Sequence, residues 1–185
     1  MHLSKILFVF LISSILLLAS NPFKKLDDKK RGYIGVDACT MCHKSEKQGK
    51  QLDIWKSSKH SKAYEVLLTE EANKIAAEKG FTTPAAKTEA CLVCHASGYN
   101  ADASLIGKKF KVEDGVQCET CHGAGADYKD MKIMKNREEA INNGLVVVED
   151  IEKFCVTCHN SESPTFKEFN FQTSWDKIKH SVPAK

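Results

Sequence analysis

One five-residue pattern occurs four times in this chain of 185 residues: two cysteines separated by two residues, with a histidine directly after the second cysteine. Two thiols three positions apart lie on the same side of a helical turn, where they can bind the two vinyl groups of one porphyrin. The histidine that follows then presents its imidazole to the iron. This pattern is the attachment sequence of c-type haem, so the sequence predicts four covalently bound haems. The four copies contain all eight cysteines, namely Cys39, Cys42, Cys91, Cys94, Cys118, Cys121, Cys155 and Cys158.

Paired cysteines have other uses, which we weighed against haem attachment. One pair could form a redox-active dithiol, two pairs could bind zinc, and eight cysteines in an exported protein could form disulfides. None of these uses requires a histidine after every second cysteine. The repeated histidine therefore favours a tetrahaem c-type cytochrome.

The histidine count limits the axial ligands that the four irons can have. Each iron has two axial positions, and the proximal ligands are predicted to be His43, His95, His122 and His159. Beyond the first 20 residues, only His60 and His180 remain, and we predict both as distal ligands. Two haems therefore have another distal ligand or none.

The remaining candidates for these two positions are Met131, Met134 and an open coordination site. A thioether ligand would raise the reduction potential of its haem relative to a bis-histidine haem. A five-coordinate haem could instead bind a small molecule. Flexible methionines also fill irregular gaps in protein cores, so their presence alone does not decide between these alternatives.

The polypeptide that must hold these groups is poor in apolar residues. Hydrophobic residues make up 42% of the chain, but 14 of them fall in the first 20 positions, which leaves about 39% for the remainder. A domain with so little apolar material needs cofactors or cross-links to fold, and four porphyrins would supply most of a core. The formal net charge of +3 argues against a dedicated nucleic-acid-binding protein, which would carry a concentrated basic excess.

Local patterns predict a mainly α protein, a compact multihaem cytochrome c with long loops and little or no β-structure. Helical periodicity runs from about Ser61 to Lys79, where Thr69 is a candidate break and new cap and Gly80 a helix end. Further helices are expected at Asn136–Asn143, closed by Gly144, at Asp150–His159, and at Trp175–His180, capped by Thr173 or Ser174. Short strands are conceivable at Lys109–Val112 and Val146–Val148.

The N-terminus predicts export. Lys5 precedes an apolar run from Ile6 to Ala19, which has the length of a signal-peptide core and is too short for a comfortable transmembrane helix. A cleaved signal peptide over residues 1–20 is favoured over an uncleaved anchor, although residues 21–35, a solvated linker, carry a basic flank. The tetrahaem domain is predicted over 36–185. The expected location is periplasmic or extracytoplasmic, with membrane contact only if residues 6–19 are retained.

Taken in order, the segments around the motifs resemble the tetrahaem cytochrome c-554 family, known as the electron acceptor of hydroxylamine oxidoreductase in ammonia-oxidising bacteria. The matching stretches span roughly Cys39 to Pro183. The most specific of them are Trp-x-x-x-x-His at Trp55–His60 and Gly-Val-x-Cys-Glu-x-Cys-His-Gly-x-Gly at Gly115–Gly125. The second segment is also similar to segments in hydroxylamine oxidoreductase-type proteins.

The resemblance implies a pairing of ligands. Haem 4, on His159, would take His60 as its distal ligand, and haem 3, on His122, would take His180. Haem 2, on His95, would be five-coordinate and high-spin. Haem 1, on His43, would take a residue just beyond the third motif, which is a histidine in the family. This chain has Tyr128-Lys129-Asp130-Met131 there, so we expect a His/Met haem 1 with Met131 favoured over Met134.

These features favour an exported electron carrier that connects an upstream dehydrogenase or oxidoreductase with a downstream cytochrome or reductase. The chain shows no acid/base or nucleophilic constellation apart from the haem ligands, so no catalytic residue is predicted. The alternative is an enzyme that reduces nitric oxide or another small oxidant at an open haem 2. A membrane-anchored, quinol-linked cytochrome is a further alternative, and it would require the uncleaved N-terminal segment.

Overall fold

A computed structural model of the protein describes residues 30–181. Within this range the secondary structure consists of short helices joined by long irregular segments. The ten α-helices are α1 (Val36–Cys39), α2 (Gln51–Ser57), α3 (Ala63–Val66), α4 (Glu70–Glu78), α5 (Glu89–His95), α6 (Cys118–His122), α7 (Met131–Met134), α8 (Arg137–Asn142), α9 (Ile151–Cys155) and α10 (Phe171–Ile178). Five 3-10 helices lie between them, at Glu46–Gln48, Lys59–Lys62, Ala85–Lys87, Ala103–Leu105 and Val112–Asp114.

The mainly α prediction is confirmed, since no strand forms within residues 30–181 and the only β-pairing there is an isolated parallel bridge between Tyr33 and Ile106. The conceivable strands at Lys109–Val112 and Val146–Val148 are absent. Val112 instead begins a 3-10 helix, and the ring of Phe110 packs edge-on against Tyr33 with centroids 5.5 Å apart. A strand needs a second strand to pair with, and neither segment has one; the Val146 amide donates instead to the His122 carbonyl at 2.9 Å.

The predicted helix caps are largely confirmed. Thr69 ends the first helical stretch and caps α4, because its hydroxyl accepts a hydrogen bond from the Ala72 amide at 3.2 Å. The Asn136 side chain caps α8 in the same way through the Glu139 amide, at 3.1 Å. Gly80 follows α4 with a φ of +85°, which a residue with a side chain rarely adopts.

Two helices differ in length from their predictions. α9 is capped by Asp150 but ends at Cys155, and turns replace the predicted helix up to His159. α10 begins four residues earlier than predicted, because Asn170 is the cap instead of Thr173 or Ser174; its side chain accepts from the Thr173 amide at 3.0 Å. Stacking of Phe171 on Trp175, at 6.3 Å between centroids, stabilises that extra turn.

The apolar core is small, as the composition predicts. Among the described residues, no large side chain is completely buried. The one cluster of buried residues consists of Leu67, Ala76 and Ala85, against which Cys91 and Leu92 pack. This cluster joins α4 to α5 and so supports the second cysteine–histidine motif.

The expectations for residues 1–20 and most of 21–35 lie outside the described residues. Within residues 30–181, no helix has both the length and the apolar character needed to cross a membrane.

Candidate haem-binding site

Each cysteine–histidine motif forms a single turn, which is α-helical in the second and third motifs and a hydrogen-bonded turn beyond the helix end in the first and fourth. The second and third motifs lie within α5 and α6, while the first and fourth begin at the last residue of α1 and α9. In the first motif the His43 amide donates to the Cys39 carbonyl at 3.2 Å, and in the fourth the His159 amide donates to the Cys155 carbonyl at 3.0 Å. No disulfide joins any of the eight cysteines, all of which lie within residues 30–181. The two thiols and the histidine of each motif therefore lie on one turn, as haem attachment requires.

His60 lies opposite His159, although the two residues are far apart in sequence. Their ring centroids are 6.0 Å apart, with 45° between the ring planes. Burial lowers the pKa of His60, and the neighbouring His159 lowers it further. The neutral imidazole that results is the form that binds a metal ion. Phe169 stacks on the His159 ring at 4.6 Å and 11° and so holds its orientation.

His122 and His180 form a second pair with the same spacing. Their centroids are also 6.0 Å apart, with 59° between the planes. Burial lowers the pKa of His122, with smaller contributions from His180 and His43. Nδ1 of His180 lies 2.9 Å from the Ile178 carbonyl oxygen, which accepts its proton and leaves Nε2 available as a ligand.

The other two proximal histidines have different surroundings. Nδ1 of His95 lies 2.7 Å from the carbonyl oxygen of Ala63 in α3, so this ring is also oriented with Nε2 available. Burial lowers the pKa of His43, and the nearby His180 lowers it further. Among residues 30–181, the four histidines of the two pairs leave only His43 and His95.

The methionines near the third motif lie at the surface. Met131 begins α7, and 63% of its side chain is exposed, while Met134 at the end of the same helix is half-buried. The Asp130 side chain caps this helix by accepting from the Lys132 amide at 2.8 Å. Met41, between the cysteines of the first motif, is 65% exposed, and its sulfur lies 3.9 Å from Nζ of Lys109.

Thiols of different motifs come into contact. Cys39 of the first motif lies beside Cys118 of the third, and this neighbour raises the pKa of Cys39. Cys94 of the second motif lies beside Cys158 of the fourth, which together with burial raises the pKa of Cys94 to about 11. Burial and the nearby Cys155 raise the pKa of Cys121 in the third motif to about 11. The motifs thus follow one another in space in the order first, third, fourth, second.

A fit to haem can be tested on the histidine spacing. A metal-bound imidazole nitrogen lies about 2 Å from the metal and about 1 Å from its own ring centre, so two imidazoles on one ion have centroids about 6 Å apart. The observed separation of 6.0 Å in both pairs fits one iron between the two rings. Together with a cysteine pair beside each proximal histidine, the residues fit covalently bound haem.

Sequence reasoning assigned no structural role to three residues that hold this arrangement, namely Trp55, Tyr128 and Glu119. Nε1 of Trp55 donates to the Val116 carbonyl at 2.8 Å, and the Val116 amide donates to the His60 carbonyl at 3.0 Å. The hydroxyl of the buried Tyr128 donates to the carbonyl oxygens of His122 and Gly123, at 3.0 and 2.8 Å.

The third of these residues is Glu119, a buried carboxylate within the third motif. Trp55 and Glu119 both belong to the two most specific stretches of the resemblance. An acidic residue between two haem cysteines, followed by Gly123 and Gly125, was the available signal.

Two comparisons with known proteins bear on this site. Residues 38–123 match a family model described as cytochrome c554 and c-prime. The chain resembles the cytochrome c-554 family. One relative, cytochrome c-554 of Nitrosomonas europaea, is 31% identical over 101 residues, which is 52% of this chain and 40% of that protein. The match therefore spans less than half of the relative's length. No solved structure gives a significant match.

The region that matches the family model contains the first three motifs, while the fourth, at Cys155–His159, lies beyond it. The comparisons support a c-type cytochrome, for which covalently bound haem c is implied. The predicted resemblance to the cytochrome c-554 family is thereby confirmed.

Proposed function

We propose that this protein is an exported c-type cytochrome with four covalently bound haems, which transfers electrons between redox partner proteins. The observation that carries the proposal is the pairing of His60 with His159 and of His122 with His180, each at 6.0 Å, beside complete attachment motifs. Covalent attachment suits an exported carrier, because the cofactor stays bound even where little polypeptide surrounds it. The apolar N-terminal run supports export to a periplasmic or extracytoplasmic location.

In this proposal the eight cysteines of the four motifs form thioether bonds to the porphyrins. His43, His95, His122 and His159 bind the irons on the proximal side, and His60 and His180 are the distal ligands of the fourth and third haems. Bound haem supplies reversible one-electron chemistry at iron. Hydrogen bonds to the backbone from Nδ1 of His95 and His180 hold these rings with Nε2 toward the iron.

Met131 is proposed as the sixth ligand of the first haem. Its position at the start of α7, three residues after Tyr128, corresponds to the place where the family has a histidine. A thioether ligand raises the reduction potential, so this haem should be the highest-potential low-spin centre. A redox titration that finds no centre distinctly above the bis-histidine pair would count against Met131.

The contacts between motifs support transfer along a single series. The first and third motifs meet at Cys39 and Cys118, and the second and fourth meet at Cys94 and Cys158. Cys121, in the third motif, lies near Cys155 of the fourth. The first and second motifs are thus the ends of the series, and we assign to them the exchange of electrons with the partner proteins.

Low-temperature EPR of the oxidised protein, purified with its haems, tests this assignment of ligands. The expected count is two bis-histidine irons, one His/Met iron and one high-spin iron. A chemical haem assay on the same sample should give four haems per chain. Fewer than four haems, or a sample with no bis-histidine signal, would refute the proposal.

A second candidate function is reduction of nitric oxide or another small oxidant at the second haem. It is favoured by the pairing of the histidines, because the two pairs use His60 and His180 and leave His43 and His95 without a histidine opposite them among the described residues, and Met131 is proposed only for His43. Rapid and repeated reoxidation of the reduced protein by nitric oxide would support this enzyme. Binding of nitric oxide without oxidation would leave the carrier as the function.

A further inference from the structure

Glu119 lies between the two cysteines of the third motif, and its carboxylate is surrounded by backbone amides. Oε2 accepts from the amides of Gly35, at 2.8 Å, and Ile34, at 3.2 Å. Oε1 accepts from the amides of Gly125, at 2.7 Å, and Ile34, at 2.9 Å. Glycine at position 125 permits this approach, since a Cβ there would lie 2.8 Å from Cδ1 of Ile34 and 3.2 Å from Oε1.

This carboxylate is almost fully removed from water. Glu119 is 3% exposed, while the α6 residue beside it, Thr120, is exposed. A buried carboxylate costs free energy unless hydrogen bonds replace its hydration, and amide donors stabilise the ionised form. The amides of residues 34, 35 and 125 therefore hold a negative charge inside the protein next to the third motif.

The field of this charge reaches the groups that attach the first and third haems. The Glu119 carboxylate contributes to raising the pKa of Cys39 and of Tyr128, and it opposes ionisation of Cys118. Charges interact more strongly where water is excluded than at the surface. A negative charge near a haem stabilises the ferric state, which has one more positive charge than the ferrous state.

From this geometry we infer that Glu119 sets the reduction potential of the third haem, and to a lesser degree that of the first, by holding a buried negative charge beside them. The inference rests on the proposed function, because it requires haems on these motifs. Glu119 does not touch the iron and is a potential-setting residue, not a ligand. The fourth haem has the same two histidine ligands as the third, which makes it an internal reference.

The test is an EPR-monitored redox titration of the holoprotein and of three variants. E119Q removes the charge and keeps the shape, E119D keeps the charge on a shorter side chain, and E113Q removes the exposed charge of Glu113 near the same motif. We expect E119Q to shift the bis-histidine centre of the third motif to a more positive potential and to leave that of the fourth motif in place. E119D and E113Q should have reduction potentials close to those of the unmodified protein. His60→Ala and His180→Ala assign the two bis-histidine signals, since each should remove one of them.

The inference would be overturned by an E119Q protein that has four haems and unchanged reduction potentials. It would also be overturned if E119D shifted the reduction potential of the third haem as much as E119Q does, because a change of packing and not of charge would then be the cause. If E119Q does not retain its haems, the reduction potentials of the unmodified protein still test the inference. Of its two bis-histidine centres, the one on the third motif should titrate at the lower potential, and the reverse order would overturn the inference. Failure of the proposed function is distinguishable, because it would appear as a haem count below four or as missing bis-histidine signals.

Discussion

Replacing His60 with alanine should convert one six-coordinate, low-spin iron into a five-coordinate, high-spin iron. His60 lies 6.0 Å from His159 between ring centroids, so its removal leaves a gap of one imidazole on the distal side. The 3-10 helix at Lys59–Lys62 should persist, because the hydrogen bond from the Val116 amide goes to the backbone carbonyl of residue 60, which alanine retains. The change is therefore confined to the coordination of one haem.

The size of the effect follows from the two histidine pairs. The proposed ligands give the oxidised protein one high-spin iron and two bis-histidine irons. In H60A the high-spin count should rise to two and the bis-histidine count should fall to one. Added imidazole should restore the low-spin state, since a free imidazole fills the space that the side chain leaves. The reduction potential of the affected centre should change with its spin state, while the other three should keep theirs.

Spin quantitation by low-temperature EPR, with and without added imidazole, measures this change. His180→Ala is the matched control. It removes the partner of His122 and should convert the iron of the third motif from low spin to high spin in the same way. An H60A protein with four haems and an unchanged high-spin count would refute the pairing. The pairing would also be wrong if H60A and H180A abolished the same low-spin signal.

Three further substitutions test how the polypeptide holds the ligands. Trp55→Phe removes the 2.8 Å hydrogen bond to the Val116 carbonyl. It should lower the free energy of unfolding by about 0.5–1.5 kcal/mol in denaturant titrations. It should also increase the high-spin fraction of the fourth haem when the protein is warmed. Tyr128→Phe removes the buried hydroxyl that binds the His122 and Gly123 carbonyls and should cost about 1–3 kcal/mol in the same assay. Thr88 directly precedes α5 and is 4% exposed, and its hydroxyl donates to the Pro84 carbonyl at 3.0 Å. Thr88→Val should therefore lower the free energy of unfolding by about 1–3 kcal/mol.

Thr157, which is exposed, and Trp175, which like Trp55 is half-buried, provide controls of the same residue types. Thr157→Val removes an exposed hydroxyl that donates to the Phe154 carbonyl at 2.7 Å and should cost less than Thr88→Val. Trp175→Phe changes a ring that stacks on Phe171 in α10 and leaves the hydrogen bond from Trp55 to the Val116 carbonyl in place, so it should leave the spin state of the fourth haem unchanged. If Thr88→Val and Thr157→Val lowered the free energy of unfolding equally, the role assigned to the buried hydroxyl would be contradicted.

The features that could be predicted from sequence are those set by neighbouring residues. A cap such as Thr69, Asn136 or Asp150 acts on an amide three residues later, so the pattern is visible locally. The helical turn at each motif follows from the spacing of its cysteines for the same reason. The cap of α10 was misplaced because Asn170, Thr173 and Ser174 are all suitable caps, and the stacked ring of Phe171 decides between them.

What could not be predicted depends on contacts between distant segments. The Glu119 carboxylate binds the Ile34 amide 85 positions away, and the Trp55 indole binds the Val116 carbonyl 61 positions away. A local pattern holds no information on such partners. The candidate strand at Lys109–Val112 is absent for a related reason, since alternation of side chains does not reveal whether a second strand is available.

The contacts between cysteines of different motifs also have a consequence for how the protein can be divided. The first motif meets the third and the second meets the fourth, so the two contacts interleave along the chain. A cut between the second and third motifs, at any point from 96 to 117, separates both partners at once. The N-terminal half then contains two attachment sequences that do not contact each other through these thiols. The C-terminal half keeps the proximity of Cys121 to Cys155, whereas the first and second motifs can reach their partners only after the third and fourth have been synthesised.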